Sequence, residues 1–235
     1  REGDKYSDSC AALVGWLMTD GSVSKNANRY ITQSVSYNSR KCEVIEKLLA
    51  EEFGEVSYTD RPYSKGVGVQ RTYAITGEAR LRLLEVVDSE KTPSLEFINS
   101  LSTSGLESFL GAVIDGDGMR LKSGAWRITS SRQSHVDILQ YVAMLLGYRT
   151  VTVKNGDAIT INAKTTSSSR YNYRRVSVDS LDISKFDYDG EIYCPSTKLG
   201  TAVFRTKDGK VLLSGQCDEE VPMEIYNEAN IRTAT

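Results

Sequence analysis

Two aspartates carry the first chemical signal. Asp20 and Asp117 each end an apolar run and each precede a glycine, in L-V-G-W-L-M-T-D-G (13–21) and L-G-A-V-I-D-G-D-G (110–118). A glycine alone is enough to stop a helix, so the acids need a separate reason. Two carboxylates brought side by side repel unless a cation lies between them, and a hard divalent ion such as Mg²⁺ takes oxygen ligands. The pair therefore predicts a metal site, provided the fold brings the two together.

The elements that must do so repeat. The aspartates are separated by 97 residues, and eleven positions after each comes Ile-Thr, at Ile31-Thr32 and Ile128-Thr129. A repeat of that length exceeds the roughly 20–50-residue periods of solenoids and predicts two half-domains packed on one another. Gly15, Gly111 and Ala112 are small enough to let the two helices approach closely. In the first half, 29–36 reads as a strand and 40–53 as a helix closed by Gly54, with strands at 55–61 and 68–76 and a helix around Leu81, Leu83, Leu84 and Val87. In the second half, 126–133 reads as the strand and 136–146 as the helix closed by Gly147, and Asn155-Gly156 predicts a hairpin within 151–161. Segment 94–109 is expected to connect the halves.

Composition excludes several classes. The 235 residues are 40% hydrophobic and 26% charged, ordinary globular material, and no apolar run reaches the ~18–20 residues of a membrane span. Arg1 is neither a natural start nor the opening of a signal peptide, as expected of a fragment or processed piece. Cys10, Cys42, Cys194 and Cys217 form no CxxC pair, which argues against zinc and for reduced thiols in a cytoplasm. The net charge is −2; residues 218–235 carry −4 of it, leaving +2 on 1–217, so a DNA-binding role must rest on where the basic residues lie.

The two acidic motifs resemble those of single-chain LAGLIDADG homing endonucleases, and the resemblance covers about residues 11–186. The second copy is the closer; the first has Met18 where the second has Asp115. The family's essential acid falls on Asp20 and Asp117. The resemblance implies an α+β pseudo-dimer of half-domains (αββαββα-like) at 1–93 and 94–186, in which two curved sheets saddle a DNA duplex. It also implies that both aspartates coordinate Mg²⁺ for double-strand hydrolysis. A monomer is implied, since one chain holds both halves. Lys25 and Lys122, each five residues past its aspartate, are candidates for charge stabilisation or are solvated loop residues. His135, the lone histidine, lies outside both motifs, which makes a histidine-based nuclease mechanism improbable.

Strand alternation assigns a DNA face. With Ile31, Val35 and Ile128 to the core, Tyr30, Thr32, Ser34 and Ser36 face outward in the first half and Arg127, Thr129, Ser131 and Gln133 in the second. In the hairpin, Val151, Val153, Ile159 and Ile161 are given to the core, leaving Thr152, Lys154, Thr160, Asn162 and Lys164 outward. Such side chains read base edges and phosphates.

Residues 187–216 have a different texture, short strands divided by Gly190, Gly200 and Asp208-Gly209. Residues 188–217 resemble the C-terminal splicing blocks of an intein, a small β-rich, Hint-like segment. The resemblance makes Gln216 the cyclising last residue and Cys217 the acyl-accepting first residue of the host protein; Cys194 is either an auxiliary nucleophile or a buried structural cysteine. Gly215 stands where inteins usually have histidine, and no N-terminal splicing block is present, so an N-terminal intein fragment is a further implied partner. Residues 217–235 resemble the Walker B region of a phage terminase large subunit, with Asp218 and Glu219 as its acids. The compartment implied is the cytoplasm of a bacterial or phage-infected cell. Two rivals remain: a DNA-binding protein of this fold without cleavage, and the C-terminal partner of a split intein.

Overall fold

The computed structural model describes residues 5–24, 28–54, 56–63, 67–75, 77–165, 189, 201–205 and 211–215. The chain divides into two compact units, residues 1–165 and 166–235.

The first unit is a duplicated α+β arrangement. Its first repeat runs α1 (Asp8–Asp20), β1 (Gly21–Val23), β2 (Arg29–Ser34), α2 (Ser39–Phe53), β3 (Tyr58–Pro62), β4 (Val69–Ile75) and α3 (Gly77–Val86). A short α4 (Leu95–Ser100) leads to the second: α5 (Thr103–Asp117), β5 (Gly118–Arg120), β6 (Trp126–Ser130), α6 (Gln133–Leu145), β7 (Tyr148–Asn155) and β8 (Ala158–Thr165). Each repeat forms a four-stranded antiparallel sheet, ordered β1-β2-β4-β3 in one and β5-β6-β8-β7 in the other. Corresponding pairs, Gly21 with Ile31 and Gly118 with Ile128, keep the 97-residue offset.

Helices α1 and α5 are apolar on nearly every side, as a helix enclosed by protein must be. Every residue from Cys10 to Met18 is buried. Serines cap the starts: Ser7 Oγ accepts from the Cys10 amide at 2.9 Å, and Ser102 Oγ from the Gly105 amide at 2.9 Å. Segment 94–109 is thus not one connector; Leu101 and Ser102 break it, and Thr103 onward belongs to α5. Helices α2 and α6 close on Gly54 (φ 74°) and Gly147 (φ 78°), left-handed positions suited to glycine. On the helix-packed faces, Ile31, Tyr73 and Ile75 join the core from one sheet and Trp126, Ile128, Ile161 and Ala163 from the other.

Among its described residues the second unit has an antiparallel hairpin, β9 (Thr201–Arg205) paired with β10 (Val211–Gly215), with Val211 opposite Arg205. The hairpin falls where strands are expected on either side of Asp208-Gly209.

Candidate metal and nucleic-acid site

The seam between α1 and α5 is built from small residues at matching positions of the repeat. A β-carbon on Gly15 would lie 2.6 Å from Phe109 O and 2.9 Å from Ala112 Cβ, and one on Gly116 would lie 2.8 Å from Thr19 Cβ. Gly111 is not part of the contact: a β-carbon there would meet only Arg120 Nη2, at 3.7 Å. The glycines after the aspartates are not left-handed stops either. Gly21 and Gly118 are extended, and their amides bond Leu17 O and Ile114 O. They must be glycine because a β-carbon would meet the preceding turn, 2.7 Å from Leu17 Cα and 2.7 Å from Ile114 Cα. The chain therefore passes from helix to strand with no intervening loop, and each aspartate sits on that corner.

The corner brings the two carboxylates within electrostatic reach of each other. Burial raises the Asp20 pKa above the usual carboxylate value; Lys41 opposes this, the Asp117 charge adds to it, and Gln33 and Lys91 oppose it. Asp20 Oδ2 is buried with no hydrogen-bond partner. An orphaned carboxylate oxygen beside a second carboxylate fits a hard cation. Among the described residues no group of three or more His, Cys, Asp or Glu could serve such an ion. A cation here would have two aspartates as protein ligands and would need water or phosphate oxygens for the rest, a pattern that suits Mg²⁺ better than Zn²⁺.

Two lysines that the motifs do not mark hold the ends of the helices. Lys41 Nζ, from α2, donates to Gly116 O at 2.9 Å, and Lys91 Nζ donates to Thr19 O at 3.0 Å. Both oxygens belong to the last helical turn, whose carbonyls lack intrahelical partners and favour cations. Lys91 sits in a tight loop at φ 66°, a left-handed backbone that is uncommon for a non-glycine residue. The loop is stapled by Asp88, whose Oδ1 accepts from the Thr92 amide at 2.8 Å, and by buried Arg29, which donates to Val87 O at 2.9 Å. Burial and neighbouring Arg132 lower the Lys91 pKa, while Asp117 and Asp20 raise it. No spacing in the sequence marks Lys91; the loop brings it to the seam.

His135 is buried in the first turn of α6, with Nε2 3.1 Å from Glu90 O, and burial lowers its pKa. It helps wall a cleft of about 30 Å³ beside Asp117, with Thr19, Thr129 and Ser130. Of the predicted lysines, Lys122 is exposed in the β5–β6 turn and Lys25 lies outside the described residues. Asp115, the acid unique to the second motif, is exposed and pairs with Arg120 at 3.2 Å.

The sheet faces opposite the helices carry much of the predicted polar set. Tyr30, Thr32, Arg127, Thr129, Thr160, Asn162 and Lys164 lie there by register. Thr32 and Thr72 hydroxyls meet at 3.3 Å, Thr129 and Thr160 at 2.9 Å, and Arg127 Nε donates to Asn162 Oδ1 at 2.8 Å.

Six of the predicted outward strand placements need correction. Ser34 is buried and its Oγ accepts from the Tyr37 amide; Ser36 is past the strand and its Oγ accepts from the Val69 amide. Gln133 is not on the strand: β6 ends at Ser130, Ser131 is an exposed bend, and Gln133 opens α6, donating to Asp137. Thr152 and Lys154 lie on the helix-packed side, opposite Ile161 and Ile159, while Val151 and Val153 face outward opposite Asn162 and Thr160. The turn explains the reversal. Asn155 pairs with Ala158, so the loop is Gly156-Asp157 with Gly156 at φ 60°. A two-residue loop sets odd positions of β7 against even positions of β8, so Val151 and Ile161 cannot share a face.

Cys194, Gln216, Cys217, Asp218 and Glu219 lie outside the described residues.

No protein-family model and no curated protein matches this sequence. Solved structures of homing endonucleases and of the WhiA protein are similar to it. A mesophilic variant of the homing endonuclease I-DmoI is 13% identical, covers 67% of this chain and 83% of its own, and superposes with a TM-score of 0.48. I-DmoI in complex with DNA and Mn is 14% identical over 67% of this chain and 89% of its own, with a TM-score of 0.47. Full-length DUF199/WhiA from Thermatoga maritima is 10% identical over 68% of this chain and 51% of its own, with a TM-score of 0.47.

Proposed function

We propose that this chain is a divalent-metal-dependent endonuclease that cuts both strands of a DNA duplex, of the LAGLIDADG homing type. The observation that carries the reading is the buried, unpartnered Asp20 Oδ2 within electrostatic reach of Asp117, at the junction of two repeats. Asp20 and Asp117 would hold the ion, Mg²⁺ by the oxygen chemistry of the site, and it would supply positive charge to the attacking and leaving oxygens of phosphodiester hydrolysis. Lys41 and Lys91 fix the helix ends that carry the two acids, and both favour the ionised form of Asp20. The DNA would lie along the outward sheet faces, whose strand positions hold Arg61, Arg127, Arg149 and Lys164 and no aspartate or glutamate. That local charge outweighs the near-neutral chain as a guide to the partner.

The likeness of 188–217 to C-terminal splicing blocks supports an endonuclease carried by an intein, with half-domains at 1–93 and 94–186, a splicing segment at 187–216 and a host remnant at 217–235. A DNA-binding protein without cleavage is the second reading, favoured by the small donor set.

The test is incubation of the full chain with a randomised-target plasmid library and Mg²⁺, followed by sequencing of the cut ends. Linear product that disappears with Asp20→Asn supports the endonuclease. DNA retained on a filter but never cut, at any divalent metal, establishes the second reading.

A further inference from the structure

We infer that the outward face of the second sheet reads a guanine together with thymine methyl groups, through Arg127 for the guanine and Val151 and Val153 for the methyls. The inference rests on the DNA-binding reading above and deepens it by naming the bases of one half-site. The outward face is arranged in rows across the strands. One row runs Met119, Arg127, Asn162, Val151 and the next runs Thr129, Thr160, Val153. Val153 is 54% exposed, Met119 48% and Val151 37%, on a face otherwise polar and basic. No described residue of the first unit covers these three, and a strand face kept only for solubility would carry polar residues there.

The polar neighbours say what does cover them. Arg127 is held by one bond, Nε to Asn162 Oδ1 at 2.8 Å, and has no other partner among the described residues. That bond restrains the guanidinium at Nε and leaves both terminal nitrogens without a partner among the described residues. The terminal pair is the fork that matches O6 and N7 of guanine in the major groove, and holding it in advance removes part of its ordering cost. The Thr129 and Thr160 hydroxyls share one hydrogen bond at 2.9 Å, which leaves one O–H to donate elsewhere, and their two methyls add apolar surface to the row beside Val153. The one apolar group that the major groove displays is the thymine methyl. Arg149 and Lys164, opposite each other on the same face, supply positive charge for the flanking phosphates. The matching face of the first repeat has Tyr30, Thr32, Thr59, Arg61, Gln70 and Thr72 and no valine, so the methyl requirement belongs to one half-site only.

The test is binding selection by the full chain, without divalent metal, from two random duplex libraries of the same design, one made with thymine and one with uracil, which lacks only the methyl. The expected result is a site from the thymine library with a fixed guanine and nearby thymines in one half, and a loss of that half's thymine preference in the uracil library. Val151→Ser and Val153→Ser, which remove the exposed methyls, should abolish the methyl preference while leaving the guanine; Arg127→Ala should relax the guanine by about 5- to 150-fold. A selected site indifferent to uracil and to both serine variants overturns this inference and leaves the DNA-binding reading standing. Enrichment of no sequence at all overturns both.

Discussion

Thr19 and Gly116, one from each repeat, meet across the α1–α5 seam so closely that a β-carbon on Gly116 would lie 2.8 Å from that of Thr19. Each immediately precedes one of the two aspartates, so the closeness of this contact sets the closeness of the carboxylates. Gly116→Ala should destabilise the fold by about 1–3 kcal/mol through overpacking and should reduce cleavage by the molecules that still fold. Urea denaturation with a parallel plasmid assay measures both. Full stability in the variant would mean that the seam yields and does not set the site.

Asp20→Asn should remove cleavage and yet raise the thermal midpoint. The raised pKa of Asp20 means that folding disfavours its charge, and a neutral isostere escapes both burial of that charge and repulsion by Asp117. Asp117→Asn should also remove cleavage, with DNA affinity retained in both. A fall in midpoint for Asp20→Asn would show that Asp20 is bound more favourably as the anion than its surroundings imply.

The same shift gives a pH dependence. A carboxyl whose folded pKa lies above its unfolded value binds more protons in the native state, so this group's contribution to stability falls as pH rises from the unfolded pKa through the folded one. Metal binding runs the opposite way, because only the carboxylate is a ligand: cleavage at fixed Mg²⁺ should fade on acidification, starting above the usual carboxylate range. Lys91→Met removes a charge that favours ionised Asp20, so the midpoint of the cleavage profile should move to higher pH. The variant should also lose about 1–2 kcal/mol of stability with its bond to Thr19 O. An unmoved profile would leave Lys91 a structural brace only.

DNA affinity should fall steeply with salt, because each phosphate contact releases counterions. Arg127→Ala should cost about 1–3 kcal/mol of binding if its fork engages a base. Gln133→Ala is the control. Its side chain is spent on Asp137 in α6, so affinity should not change.

The chain should not splice alone. Attack by Cys217 needs an activated acyl group made at an N-terminal junction, and Gly215 replaces the usual histidine beside Gln216. Intact mass should therefore show residues 217–235 still attached after purification. Their rapid loss without an added fragment would show that the splicing segment acts by itself.

What the sequence determined alone is what depends on local periodicity and on repetition. The 97-residue repeat, the two apolar helices ending in Asp-Gly, the Gly54 and Gly147 stops and the outward course of Thr32, Arg127 and Thr129 are all legible there. A helix or strand pattern and a glycine stop are properties of neighbours in the chain. Tertiary structure decided the rest. The face of β7 followed from the number of residues in the hairpin loop, and one residue more or fewer there inverts every side chain on the strand relative to β8. Gly116 rather than Gly111 lies in the seam because helix rotation, set by packing, chooses among small residues that the sequence offers equally. Lys41 and Lys91 reach the site from 75 and 72 residues away, to bind carbonyls that exist only where each helix happens to end. The chemistry of the two acids was written in the chain, but the cations that favour their charge were gathered by packing, whose contacts no spacing encodes.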